Sequence, residues 1–389
     1  MSIQERRGTP PAILNAHPPP AGARQDPAPS PRDAREWLRE GKALYRSGRF
    51  EKALRSFQQV VPVDPDNGDA WYGMGNCLHA LGRFRDAVRA YDRTLAVDPA
   101  CVPAWNNRGI DLIGLGRVES AMRCFDRALA LDPANRQAWY NRGLCLYVLG
   151  RYEGASRCFR HVTKLEPTDA KAWVATGIAL FRLGRYEEAV HCNSAALKLD
   201  PQDTRAWINK GVSLHRLGRF ERAAACCDCA LKIDSRNGQT WFNRGVGLHE
   251  LGRFAAAIDS YENALRLEPL NARYWLNKGA SLQCQGQYRR AIHCYDRALM
   301  LDAHLPAALR NRATCGDLLK GLQRAFWPPE QKIRGALPSW REVAPVRTGE
   351  RPLLPLPPGG KLAARVLRLA PSETIARNLP SPPTHRGNA

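Results

Sequence analysis

The chain has 389 residues, 44% hydrophobic and 24% charged, with 58 Lys+Arg against 37 Asp+Glu for a formal net charge of +21. That composition is ordinary for a soluble protein, and no stretch of 18 apolar residues offers a membrane-spanning helix, so no membrane partner is expected. The first twenty residues carry charges and prolines where a secretory leader needs an apolar run, and the twelve cysteines are spread along helical segments. Reduced thiols in a cytoplasm are therefore expected.

Residues 1–33 hold eight prolines, and this segment is predicted to be disordered. From there a strict period takes over. Trp37, Trp71, Trp105, Trp139, Trp173, Trp207, Trp241 and Trp275 stand 34 residues apart with no insertion. With each unit numbered from its first residue, beginning at Ala34, tryptophan is position four. Position eight is always Gly (Gly41 to Gly279) and position eleven always Leu (Leu44 to Leu282). Position fifteen is always Gly (Gly48 to Gly286) and position twenty always Ala (Ala53 to Ala291). Position 32 is Pro in six units, with Ser235 and Ala303 as exceptions.

Each unit reads as two helices. Asn67, Asn135, Asp169, Asp203, Asn237 and Asn271 at position 34 suit the cap of the helix that follows. The glycine at position fifteen suits a left-handed residue ending the first helix. Small residues at positions eight and twenty let two backbones approach, and the proline near position 32 stops the second helix. One hairpin cannot bury its apolar face, so units must stack around a continuous core. The tryptophans are accordingly expected as core pieces rather than as ligand-stacking platforms.

The pattern resembles the tetratricopeptide repeat family over residues 34–305, with the family's 34-residue period and its W…G, A…F, P signature, Leu standing in place of the family's aromatic at position eleven. The resemblance implies an all-α, right-handed superhelical solenoid of eight repeats: 34–67, 68–101, 102–135, 136–169, 170–203, 204–237, 238–271 and 272–305. Asn193 and Cys227 replace the aromatic at position 24, which predicts a softer helix contact in those two repeats. Residues 306–327 continue the register as a capping helix, with Leu309 at the tryptophan position. Residues 328–389 carry twelve prolines and are predicted to be a flexible tail, in which Lys361–Ala370 is basic and amphipathic.

In this family the first helices line the concave surface through positions two, five, six, nine, twelve and thirteen. Position six is Asn107, Asn141, Asn209, Asn243 and Asn277, with Asn311 in the capping helix and a break at Ala175. Asparagine is a poor mid-helix residue, but its amide offers a donor and an acceptor to a peptide unit. The column is similar to that of the O-GlcNAc transferase repeat domain, where such asparagines hold the target's backbone; no catalytic domain accompanies it here. The competing expectation is hydrogen bonding between neighbouring repeats. Beside this column, Ile110, Leu144, Ile178, Val212 and Val246 at position nine would receive apolar side chains of a partner, unless the next helix covers them. His79, His215 and His249 share position twelve with Tyr45, Tyr147 and Phe181 and are expected as aromatic equivalents, not metal ligands.

Other chemistry is less favoured. The family's carboxylate clamp would match at Asn76 and Asn107 but fails at Tyr72, Gln137 and Asn141. Cys124, Cys158, Cys192, Cys226 and Cys294 at position 23 lie on parallel helices, too far apart for disulfides and without a tetrahedral ligand set, so no metal or other cofactor is expected. Position sixteen, Arg49 to Arg253, forms a basic edge, and position 31, Asp64 to Asp302, an acidic one. The positive surplus is dispersed and no stacking platform accompanies it, which argues against nucleic acid. The expected function is a non-enzymatic scaffold binding an extended protein segment. Nucleic-acid binding by the basic edge, or recognition for an enzyme on another chain, are the alternatives.

Overall fold

The computed structural model describes residues 31–325. The expectations for the rest of the two terminal segments, Lys361–Ala370 included, lie outside the described residues. Among the described residues there are seventeen helices and no strand. The first four repeats are α1 (Pro31–Arg46) with α2 (Phe50–Val60), α3 (Gly68–Ala80) with α4 (Phe84–Val97), α5 (Val102–Gly114) with α6 (Val118–Leu131), and α7 (Arg136–Val148) with α8 (Tyr152–Leu165). The next four are α9 (Ala170–Arg182) with α10 (Tyr186–Leu199), α11 (Thr204–Arg216) with α12 (Phe220–Ile233), α13 (Gly238–Glu250) with α14 (Phe254–Leu267), and α15 (Ala272–Cys284) with α16 (Tyr288–Leu301). A last helix, α17 (Pro306–Ala325), packs on α16. At the other end α1 begins at Pro31, inside the segment expected to be disordered, with proline at the first helical position where its missing N–H costs nothing.

Each helix packs on its partner, and each second helix on the first helix of the next repeat; most first helices also touch the next first helix along one side. Three local devices make the hairpins. The position-fifteen glycines all take φ between 71° and 77°, a left-handed conformation that costs an L-residue with a side chain free energy. The six Asn and Asp residues at position 34 cap as expected, each side chain accepting a backbone N–H of the following first turn, as in Asn67 from Ala70 at 2.9 Å, whereas Cys101 at the same position makes no such bond. Asp203 accepts two, from Arg205 at 2.9 Å and Ala206 at 3.2 Å. Asp203→Ala should therefore lower stability by about 1 kcal/mol, read as a lower urea midpoint, with Asp203→Asn close to wild type.

The third device is a ring seated on a glycine. A Cβ at position eight would stand 2.5–2.7 Å from the position-24 ring in repeats one to four, seven and eight, as between Gly75 and Tyr91 or Gly245 and Tyr261. Phe57 reaches further: it would meet a Cβ at Gly41 of its own repeat at 2.7 Å and one at Gly73 of the next at 2.6 Å. The aromatic at position 24 is thus the plug that closes a hairpin, and in repeat one it also reaches the successor.

The tryptophans differ from expectation. They are only partly buried, with one ring face on the core. From Trp71 to Trp275 each indole Nε1 donates to the main-chain carbonyl of position 32 in the preceding repeat, at 2.8–3.0 Å. An indole N–H needs a partner, and placing the ring at the junction provides one. Over five of them, Trp105, Trp139, Trp207, Trp241 and Trp275, lies a position-seven cation, such as Arg142 at 5.9 Å from the Trp139 centroid or Lys210 at 5.3 Å from Trp207. Among the described residues no helix is long and apolar enough to cross a membrane.

Candidate recognition surface

The first helices form the wall on which the predicted site residues fall. All six position-six asparagines, Asn107, Asn141, Asn209, Asn243, Asn277 and Asn311, are 2–8% exposed. Their amides are partly engaged. Asn107 Nδ2 donates to Tyr72 Oη at 3.1 Å and Asn76 Oδ1 at 3.0 Å, and Asn141 Nδ2 to Asn106 Oδ1 at 3.1 Å, all across repeat junctions. Asn277 Nδ2 turns back to the Arg273 carbonyl at 2.8 Å, and Asn243 Oδ1 accepts from Gln239 Nε2 at 2.8 Å. The inter-repeat bonding weighed from sequence thus occurs at Asn107 and Asn141. Of the position-nine row, Ile110, Leu144, Val212 and Val246 are buried and Ile178 is half-buried.

The wall also carries buried polar atoms with no hydrogen-bond partner: Asn76 Nδ2, Asn106 Nδ2, Tyr147 Oη, both ring nitrogens of His215, Asn243 Nδ2 and Asn311 Nδ2. These six residues occupy positions five, six, nine and twelve. Leaving such a group unmatched costs about 1–3 kcal/mol.

The wall is not uniform along its length. At the junction of repeats two and three the lining carries a cluster of bonded polar groups. Tyr91 Oη donates to Asn76 Oδ1 at 2.8 Å, Asn107 bridges to Tyr72 and Asn76, and His79 Nδ1 pairs with the buried Asp111 carboxylate. Burial raises the Asp111 pKa, and the His79 contact opposes that rise. Position nine is aliphatic from Ile110 through Val246, and in repeats one, two and four to seven position twelve pairs a ring with position seventeen of its own repeat: Tyr45 with Phe50 at a centroid distance of 5.4 Å, His79 with Phe84 at 5.8 Å, and Tyr147 with Tyr152, Phe181 with Tyr186, His215 with Phe220 and His249 with Phe254 at 5.2–5.3 Å. The histidines do stand in the place of aromatics. Burial lowers the pKa of His215 and of His249 to about 4, with Arg216 adding to the effect at His215.

Both charged edges have structural duties. Asp98, Asp132, Asp200, Asp234 and Asp302 each accept the N–H two residues on, at 2.9–3.1 Å, closing the turn between repeats. On the other edge Arg83 pairs with Asp86 at 2.9 Å and Arg219 with Glu187 at 2.7 Å. A set of ion pairs that escaped the sequence analysis joins position 25 of one repeat to position seven of the next: Asp92–Arg108, Asp126–Arg142 and Asp228–Arg244 at 2.6 Å, Glu262–Lys278 at 2.9 Å and Asp296–Arg312 at 2.5 Å. The position-23 thiols are buried, and burial pushes Cys192, Cys226 and Cys294 up to about 11, which suppresses the thiolate. Among the described residues no three His, Cys, Asp or Glu side chains gather as a metal site.

Stacked hairpins with this wall define a helical-repeat solenoid. Tetratricopeptide repeat models match residues 44–107, 106–157, 149–191, 174–237, 238–271 and 272–305. The matches run unbroken through the array, and the chain belongs to the tetratricopeptide repeat family. No curated protein matches the sequence. Among solved structures, a tetratricopeptide repeat protein from Parabacteroides merdae is 16% identical, over 73% of this chain and 99% of that one, with a TM-score of 0.47. The APC/C hetero-tetramer Cut9–Hcn1 is 18% identical over 72% of this chain and 55% of that one, TM-score 0.47. YrrB, described as a TPR protein with an unusual peptide-binding site, is 22% identical over 46% of this chain and 92% of its own, TM-score 0.42.

Proposed function

We propose that the protein is a non-enzymatic interaction scaffold that holds an extended segment of a partner protein in the concave groove lined by its first helices. The observation that carries this is the row of unmatched polar atoms at Asn76, Asn106, Tyr147, His215, Asn243 and Asn311. They fall on the columns through which this family's first helices face the groove. Once these side chains turn outward from their buried positions, a strand of main chain laid along the wall supplies carbonyls and N–H groups at regular intervals, and removes the cost of leaving those atoms unmatched in the free protein. The polar cluster between repeats two and three and the aliphatic position nine beyond it favour a segment with polar residues at one end and apolar ones along the rest. All twelve cysteines are free thiols, which fits a reducing compartment such as the cytoplasm.

Peptides selected from a random library on the immobilised full-length protein test the proposal. Replacing Asn209, Asn243 and Asn277 together by Ala should weaken the selected peptides by about tenfold or more, with helical circular dichroism retained. Undiminished capture counts against the asparagine column. Binding that instead tracks single-stranded nucleic acid, falls steeply with salt and disappears when the position-sixteen arginines are reversed in charge favours the basic edge.

A further inference from the structure

Two kinds of fastening hold the array together, one between successive repeats and one within each, and both are altered in the same place. The first is the ion pair from position 25 to position seven. It is present at the junctions two–three, three–four, six–seven, seven–eight and eight–α17. At four–five the same positions hold Arg160 and Thr176, and at five–six Ser194 and Lys210, so neither junction can form it. The other gap, Gln58 with Met74, lies at the end of the array. The second fastening is the aromatic plug at position 24. Repeat five has Asn193 there, buried; it seats on Gly177, its Nδ2 2.6 Å from where a Cβ would be, but it brings a small polar group in place of a ring, with Nδ2 turned back to the Ala189 carbonyl at 2.8 Å and Oδ1 unmatched. Repeat six has Cys227, whose sulfur would lie 3.7 Å from a Cβ at Gly211, where rings elsewhere stand at 2.5–2.7 Å.

The pairs that replace the missing ones all end on a residue at the turn-side start of a second helix. Arg219 meets Glu187 of the preceding repeat at 2.7 Å, Arg185 meets Glu153 at 3.5 Å, and Arg160, from the middle of α8, reaches forward to Glu188 at 2.8 Å. The five–six junction is thus tied at the turn edge alone, and the four–five junction there and by Arg160.

We infer that repeats five and six are a built-in hinge, so that the solenoid opens first at its middle, about its turn edge, and not only by fraying at its ends. In a linear array the population of open states follows the intrinsic stability of each unit and its nearest-neighbour contacts, and here both are weakened in adjacent units. The inference holds whatever the wall binds. A groove able to change pitch at its centre would accommodate segments of differing shape.

Hydrogen exchange of the full chain, read by mass spectrometry, tests it. Amides of α9–α12 should exchange about tenfold or more faster than those of α5–α8 under native conditions. Asn193→Phe with Cys227→Phe should slow α9–α12 by a similar factor while leaving α5–α8 unchanged. Ser194→Asp, which restores a carboxylate opposite Lys210, should slow it further at low salt and not at high salt. Equal protection of α5–α8 and α9–α12 in the wild type overturns the hinge, and that comparison stands even if the double variant fails to fold. So does protection that simply falls off with distance from the centre, or restored plugs that leave exchange unchanged.

Discussion

Gly245→Ala is expected to destabilise the protein by about 2–3 kcal/mol, whereas Gly211→Ala should stay within about 1 kcal/mol of wild type. The two glycines occupy the same position of neighbouring repeats. At Gly245 the new methyl would lie 2.5 Å from Tyr261, a ring that is itself buried and has nowhere to go. At Gly211 its closest neighbours are the Ala223 carbonyl oxygen and Cys226 Cβ, both at 3.2 Å, because Cys227 stands where the ring would be. Alanine gains about 1 kcal/mol over glycine in a helix interior. That gain is overwhelmed by the clash in the first case and comparable with the contact in the second. Because long repeat arrays can unfold in stages, urea midpoints should be paired with hydrogen exchange of α13–α14 and α11–α12. Equal losses at the two sites would mean that the plug is not what excludes a side chain at position eight.

The second large effect is on pH. His215 and His249 are held neutral in the fold, with pKa lowered to about 4 by burial, against about 6.5 in an unfolded chain. Although part of the His215 ring reaches solvent, both of its nitrogens are buried and unmatched. His249 Nδ1 has the Ser281 hydroxyl at 2.8 Å. The unfolded state therefore takes up protons first as pH falls. Stability from these groups is complete above pH 6.5, declines by up to about 1.4 kcal/mol per pH unit for each histidine, and levels off near pH 4, where both states are protonated. His215→Phe places there the ring that Phe181 already supplies to repeat five and keeps the contact with Phe220. The variant should match wild type at pH 7.5 and exceed it by about 2–3 kcal/mol near pH 4. A gap independent of pH would show that His215 has the same pKa in the fold as in the unfolded chain.

How much of this could be read in advance depended on whether a residue's job lies within one repeat or between two. The glycine at position fifteen, the caps at position 34 and the alanine at position twenty act locally, so one repeat displays their logic and the column confirms it. The ion pairs escaped because Asp126 and Arg142 are sixteen residues apart in different units; each column looks like ordinary surface charge until the two are aligned against each other. The tryptophans show the same limit. Their regularity pointed to packing, but the bond from Trp139 Nε1 to the Pro133 carbonyl involves a main-chain atom, which no side-chain pattern records. Asn107 and Asn243 share a column and do different things: the first meets Tyr72 and Asn76 of the repeat before it, while Val212 in the place of Asn76 leaves the second with Gln239 on its own helix. Their neighbours, not their spacing, decide which amide atoms are left over.

The tryptophan bond also bears on how such a chain changes over generations. Its acceptor is a peptide carbonyl, and Ser235 serves Trp241 as well as proline serves the others. An in-frame duplication or loss of one 34-residue unit therefore leaves every indole with a latch to close on. Track length is free to drift by recombination, while the thickness of the track stays fixed by the ring seated on its glycine.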